Sequence, residues 1–247
     1  MLFRSGQGLA SALERVETYA PAADGGALRH WKSFAYDAAS GRLASVSSPE
    51  GRIDYTWTDY GQVESIRTSA GQITHYTWDE FGRLATVSSN AASANPGVQE
   101  TVTYRYSPAT GARTAIERPN GVDTLYEHDM RGNVSRILHK RRAGGAELLS
   151  LDYLRDKRGL ITDITETRTE EGAGTTNWHY TYDQLKRLER AVHTDHSANP
   201  PAQTVYDYRY DSACNRISEA VDGAATIYSF NSLDQLVAEH TRTGETR

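Results

Sequence analysis

Two short patterns of apolar and polar positions recur along the chain. The first is an aromatic, one variable residue, a second aromatic and then Asp. Its clearest copies are Tyr76-Thr77-Trp78-Asp79, Tyr180-Thr181-Tyr182-Asp183 and Tyr208-Arg209-Tyr210-Asp211. Weaker copies start at Phe34, Tyr55, Tyr104, Tyr126, Tyr153 and Tyr228. The steps between these nine starts run from 20 to 28 residues, with a mean near 24. The second pattern follows the first. A turn residue stands six or seven places after each start: Gly41, Gly61, Gly82, Gly111, Gly132, Gly159, Lys186, Asn215 and Asp234. Two places on comes an aliphatic (Leu43, Val63, Leu84, Val134, Ile161, Leu188, Ile217, Leu236), with Arg113 breaking the rule. Three further on the chain is apolar again at Val46, Ile66, Val87, Ile116, Ile137, Ile164, Ala191 and Ala220, and Glu239 breaks that rule.

Period-2 aromatics place both rings on one face of a strand. An Asp that accepts turn N–H groups and a Gly that supplies positive φ then reverse the chain. The expectation is one β-hairpin per repeat, with the second strand starting at the aliphatic. The spacing of three after it does not fit a plain strand; a β-bulge at the strand start would account for it, and so would a Leu folding over the turn. A short helix is excluded by a window of about five residues rich in Thr, Val and Ser. Gly and Asn tolerate left-handed backbone and Asp does so more readily than most, so Lys186 is the one turn residue out of place.

The opposite ends of the hairpins vary. Short turns fall at Pro49-Glu50-Gly51, Ala70-Gly71, Asn120-Gly121 and Asp222-Gly223. Longer loops run from Ser89 to Val98, Ala143 to Glu147, Glu170 to Thr176 and Asp195 to Gln203. Insertions on one edge are the signature of a stacked repeat. Residues 1–33 read as a partial, divergent repeat, with Gly8-Leu9 and Ala12 imitating the start of a second strand. Residues 34–247 read as an array of about nine repeats. Gly244 stands where the next far turn belongs, so both ends read as cut within a repeat of a longer array.

Nine hairpins make roughly 18 strands and, at about 4.8 Å each, a sheet on the order of 86 Å wide. Open twisted sheets of that size curl or split. The fold class expected is all-β: tandem hairpins in a curved, spirally wound antiparallel sheet, the open part of a hollow shell. A β-propeller is the rival, but Trp78-Asp79 is the sole Trp-Asp and the repeat length is wrong for a blade.

Composition narrows the function. The 247 residues are 38% apolar and include 15 Tyr against 4 Phe and 4 Trp. That apolar share is low, as a shell with little core requires. A net charge of −5 disfavours nucleic-acid binding. The single Cys214 excludes an internal disulfide framework and a Cys-based zinc site. No stretch is long and apolar enough for a transmembrane helix, and no Sec-type leader is visible at the start.

Chemistry-bearing residues are few. His193-Thr194-Asp195-His196 is the one close His/Asp cluster, without a recognised metal-ligand spacing. Asp37, Asp79, Asp129, Asp156, Asp183 and Asp211 recur at one repeat position, which suits turn capping rather than acid–base work. The aromatic rows (Tyr55, Trp57, Tyr76, Trp78, Tyr104, Tyr106, Tyr180, Tyr182, Tyr208, Tyr210) suit sheet stabilisation, or stacking against sugars. Lys140-Arg141-Arg142 reads as a solvated hairpin tip, and Cys214 as incidental. No catalytic, cofactor or metal residue is assigned, and no enzyme activity is expected.

These motifs resemble the YD-repeat, or Rhs-repeat, family. The match is close at Tyr36-Asp37 through Gly41-Arg42-Leu43 and at Trp78-Asp79 through Gly82-Arg83-Leu84, and good at Tyr182-Asp183 and Tyr210-Asp211. It covers residues 8–247. The resemblance implies a spiral sheet closing into a shell, as in Rhs effectors, Tc-toxin cocoon subunits and teneurins. It implies a toxin or effector held inside, neighbouring repeats as partners, and a secreted or cell-surface location reached by a non-Sec route or within a larger protein. The Asp-Pro autocleavage motif of toxin-bearing members is absent from this sequence, so no catalytic residue carries over. The second reading is an adhesive or glycan-binding surface array. Open sheet edges at Gly8–Tyr19 and Leu236–Arg247 would favour self-association.

Overall fold

A computed structural model describes residues 2–5, 13–19, 28–90, 100–170 and 172–242. The Gly8-Leu9 motif, the N-terminal Pro/Gly loop and Gly244 lie outside them. All the regular structure is β: twenty strands among the described residues. Among the described residues no helix is long and apolar enough to cross a membrane.

The chain divides into two compact units, Met1–Arg105 with Glu117–Pro119, and Tyr106–Ile116 with Asn120–Arg247. Each is an antiparallel meander in which a strand pairs with the next in sequence. In the first unit, Leu13–Tyr19 pairs with Leu28–Tyr36, which pairs with Leu43–Ser48, and so on through Gly51–Trp57, Val63–Thr68, Ile73–Trp78 and Leu84–Ser89. In the second, the run goes from Arg113–Glu117 through Val122–His128, Val134–Arg141, Glu147–Arg155, Ile161–Arg168, Gly174–Tyr182, Leu188–Asp195, Ala202–Tyr210, Arg216–Val221 and Ala224–Phe230 to Leu236–Arg242.

The second strand does begin at the aliphatic, and the bulge is there. Tyr36 pairs with Leu43 but Ala35 with Ser45, leaving Ala44 extra. The same shift recurs at Thr56/Trp57, Thr77/Trp78, Glu127/His128, Leu154/Arg155, Thr181/Tyr182, Arg209/Tyr210 and Ser229/Phe230. The bulge puts the residue three after the aliphatic opposite the first aromatic: Phe34 with Val46, Tyr55 with Ile66, Tyr76 with Val87, Tyr126 with Ile137. It recurs at Arg4/Ser5, which pair with Arg15 and Leu13.

The eighth repeat needs a one-residue correction. Tyr210 pairs with Arg216 and Tyr208 with Glu219, so Ile217 falls in the bulge and Ala220 opposite Asp207. Cys214, not Asn215, takes the left-handed turn position, at φ 72°. The loop expected from Glu170 to Thr176 is also shorter, because Gly174–Tyr182 is already strand.

The two faces differ. One carries the rings and aliphatics. The other carries cross-strand polar pairs: Thr56 with Ser65, Thr77 with Thr86, Ser88 with Thr101, Arg190 with Asp207 and His179 with Asp163. Such directly opposed pairs stabilise a sheet by roughly 0.2–1 kcal/mol each. The only buried apolar side chains among the described residues are Ala115, Ile116, Leu138 and Ala191. Most others are half-buried, which explains how so low an apolar content supports so many strands.

Candidate functional site

The Asp turn is the unit from which any function must be built. In the second unit Asp129 Oδ1 accepts the N–H groups of Arg131 and Asn133 at 2.8 and 2.9 Å. Asp156 does the same for Arg158 and Leu160, and Asn231 for Leu233 and Gln235. In the first unit Asp79 receives Phe81, Arg83 and the Arg83 guanidinium. The recurring aspartates therefore cap their own turns, as the sequence pattern suggests.

These bonds hold the carboxyls below their ordinary pKa. The Asn133 side chain is the main cause at Asp129, and the Arg158 side chain at Asp156. At Asp79, Asp183 and Asp211 desolvation pushes upward most strongly. The Arg83, Arg187 and Asn215 partners and the turn N–H groups together outweigh it.

The third residue after the cap is left-handed in most turns, with Gly82 at φ 74°, Gly132 at 82°, Gly159 at 86°, Lys186 at 66° and Asp234 at 57°; after Asp37 and Ser107 it is the fourth, Gly41 at 68° and Gly111 at 74°. Lys186 thus adopts the Gly conformation despite its side chain, at a strain of about 1–2 kcal/mol.

Two braces join successive repeats at this edge. The second aromatic of a repeat donates from its polar tip to the backbone carbonyl of the aliphatic one repeat earlier. Tyr36 Oη reaches Leu13 O, Trp57 Nε1 reaches Leu43 O at 2.7 Å, and Trp78 Nε1 reaches Val63 O. In the second unit Tyr182 Oη reaches Ile161 O at 2.7 Å and Tyr210 Oη reaches Leu188 O. Arg155, which replaces the aromatic in its repeat, donates Nη1 to Val134 O at 2.6 Å. This is the physical reason that Tyr and Trp outnumber Phe: the position needs a ring and a donor at its tip. Burial, with Asp156 adding to it, raises the Tyr182 pKa and keeps that donor protonated.

The second brace runs the other way. Arg42 donates to the Thr58 and Asp59 carbonyls in the next turn. Arg131, Arg158 and Arg187 reach the carbonyls of Lys157, Asp183 and Asp211.

Where an Arg occupies the aliphatic position, it covers a ring. Arg113 lies 4.8 Å from the Tyr126 centroid, and Arg216 lies 5.6 and 5.4 Å from Tyr208 and Tyr228. Cation–π contact substitutes for the aliphatic there, which accounts for both departures from the pattern.

The turn edge also shows large apolar side chains to solvent. They are Tyr60 and Phe81 in the first unit and Met130, Leu185 and Leu233 in the second, between 65% and 106% exposed. All sit one or two residues after the cap. Recurrence within the same turn marks a surface feature of the array rather than scattered exposure.

The remaining sequence candidates separate. Asp195 accepts the Ser197 N–H, and His193 packs 4.6 Å from the Trp178 ring. No group of three or more metal-ligating side chains occurs among the described residues. In the basic run, Arg141 pairs with Glu170 and Arg142 with Asp123. Cys214 is exposed in its turn, and Arg187 of the preceding turn reaches it. Sequence reasoning missed Trp178, which extends the Tyr180-x-Tyr182 alternation by one more ring. It also missed the tip-to-carbonyl braces, whose signal was the excess of Tyr and Trp over Phe.

A family model, the Rhs repeat, matches residues 57–94. That stretch holds the Trp57 and Trp78 braces. No curated protein matches the sequence significantly. Solved structures of Tc-toxin proteins share the fold. The Photorhabdus luminescens Tc holotoxin pore, carrying a TccC3 mutation, superposes with a TM-score of 0.72 at 15% identity, covering 95% of this chain and 14% of that one. TcdB2-TccC3 gives 0.69 at 14% identity, covering 88% and 14%. TcdB2-TccC3 without its hypervariable C-terminal region gives 0.66 at 15% identity, covering 90% and 15%. The chain spans about a seventh of the length of these relatives.

Proposed function

We propose that this chain is a wall segment of an Rhs-type shell, with a structural and non-catalytic role. The observation that carries the reading is the double brace. Most turns are tied to a neighbouring repeat by one or both braces, so the array is built to propagate as one continuous wall rather than to present a site. The exposed row at the turn edge gives neighbouring repeats of the same shell a surface to cover. The fold likeness to TcdB2-TccC3 and the Tc holotoxin supports the same reading. In it, the wall encloses a toxin or effector domain outside these residues, and the assembly is secreted or displayed at the cell surface. A distributed glycan-binding array is less well supported, because the ring tips of the ladder are already bonded to the sheet.

The test is protease protection on the native polypeptide that carries these repeats. Segments outside the repeats should resist digestion while the protein is folded and become cleavable after denaturation, by intact-mass readout. Equal digestion of those segments before and after denaturation would overturn the enclosure.

A further inference from the structure

One far turn carries chemistry that the others lack. It joins Arg113–Glu117 to Val122–His128, and in it Asn120 stands directly before Gly121. Asn120 is exposed. Its Oδ1 accepts the Val122 N–H at 3.0 Å, while its amide nitrogen bonds to nothing among the described residues. Gly121 is left-handed at φ 76°, and a Cβ there would meet no atom within 4 Å. Its carbonyl accepts the Arg142 N–H at 2.8 Å, and its own N–H makes no hydrogen bond among the described residues.

The other asparagines among the described residues are held differently. Asn133, Asn177, Asn215 and Asn231 each donate the amide nitrogen to a side chain. Each is also followed by a residue that carries a side chain of its own. Asn90 accepts the Ile73 N–H and donates to Gly71 O. Asn199 is exposed but precedes Pro200, which has no N–H to lose. Among the described asparagines, Asn120 alone combines an unbonded amide nitrogen, exposure and a following Gly.

We propose that Asn120 is a self-modification site, which converts to aspartate and isoaspartate through a cyclic imide. The Gly121 nitrogen loses its proton to hydroxide and attacks Asn120 Cγ. A C–N bond forms, the Cγ–Nδ2 bond breaks, and Nδ2 leaves as ammonia with a proton from water. Water then opens the imide at one of its two carbonyls, giving aspartate or isoaspartate. Nothing is oxidised or reduced. The Val122 N–H polarises the Cγ carbonyl and faces the oxygen on which negative charge develops. The same bond closes a ring that contains both Cγ and the Gly121 nitrogen. Gly121 has no Cβ to obstruct the approach. The product carries one more negative charge. Isoaspartate also lengthens the backbone by one methylene beside the bond from Arg142 to Gly121 O. The site is independent of the shell reading and stands or falls separately.

The test is incubation of the folded protein at neutral and mildly alkaline pH, followed by peptide mapping with mass spectrometry and isoaspartyl-methyltransferase labelling. Position 120 should accumulate both products, with isoaspartate in excess, at a rate proportional to hydroxide. Asn133, Asn177, Asn215 and Asn231 should stay intact in the same sample and convert only once urea unfolds the chain. Gly121→Ala should slow conversion several-fold; its Cβ meets no neighbour, and circular dichroism checks that the variant folds. Asn120→Gln, which needs a larger ring, should abolish conversion at this position. An Asn120 that stays intact in the folded protein while the unfolded chain converts overturns the proposal. Equal conversion at any of the four bonded asparagines, or an unchanged rate in folded Gly121→Ala, also overturns it.

Discussion

The two ends of each hairpin follow different rules. At the capped end the connection hardly varies: Trp78 to Leu84, Tyr182 to Leu188 and Phe230 to Leu236 enclose the same five residues. At the far end the connection runs from two residues between Ser48 and Gly51 to ten between Ser89 and Glu100. The difference is in what each end touches. A capped turn receives a guanidinium from one neighbour and places a ring tip on a carbonyl of the same neighbour, so a change in its length breaks bonds in two repeats. A far loop bonds to the next one at its flanks, as Ser69 N–H does to Arg52 O and Val205 N–H to Asp222 Oδ1, so residues can be added beyond those bonds at a loop-closure entropy that grows only slowly with length.

One extra Gly placed in each end should expose this contrast most strongly. Inserted between Phe81 and Gly82, it removes the Asp79 cap and displaces the bonds made by Arg83. At about 0.5–1.5 kcal/mol for each hydrogen bond, the expected loss is about 2–4 kcal/mol. Inserted in the loop at Gly172, it should change stability by less than about 0.6 kcal/mol. Urea denaturation of the two variants gives the comparison, and equal losses would break it.

Removing single braces gives the next effect. Trp78→Phe keeps the ring but leaves Val63 O without the indole donor. Tyr182→Phe does the same to Ile161 O. Each should lower stability by about 1 kcal/mol. Phe230→Tyr, at the one bracing position filled by Phe, should not destabilise.

The left-handed position sharpens the comparison further, with opposite signs at equivalent sites. Gly159→Ala meets no atom within 4 Å, so its loss of about 1–2 kcal/mol is purely conformational. Lys186→Gly relieves the same strain at φ 66° and should stabilise by up to about 1 kcal/mol. Thermal melts of the pair check both signs.

The smallest effect is the response to pH. The capping aspartates have lowered pKa values in the fold. Their stabilisation is present above the ordinary value of 3.8 and is lost as pH falls through the depressed values. Tyr180, Tyr182 and Tyr208 are raised, chiefly by burial. Their contribution is present below 10.0 and is lost as pH rises through the raised values. Stability should be flat from about pH 5 to 9 and fall on both sides. Asp129→Asn should flatten the acid limb, which a denaturation series across pH would show.

Much of the hairpin was legible because its signals are local. Period-2 rings, a capping Asp, a left-handed Gly and the odd spacing that forces a bulge all lie within about a dozen residues. The eighth repeat was misread because Arg216 and Glu219 take apolar positions, while Ile217 and Ala220 supply a false apolar pair one residue later. Lys186 was opaque because the turn length imposes its conformation, not its own propensity. The braces join residues 14 to 26 apart in sequence, so they appear only once register is known.

The most direct test of the central claim is an electron-microscopy reconstruction of the native polypeptide that contains these repeats. The account predicts a closed, hollow wall with density for other residues enclosed within it. An open sheet, or a closed wall with every other segment outside, would contradict it.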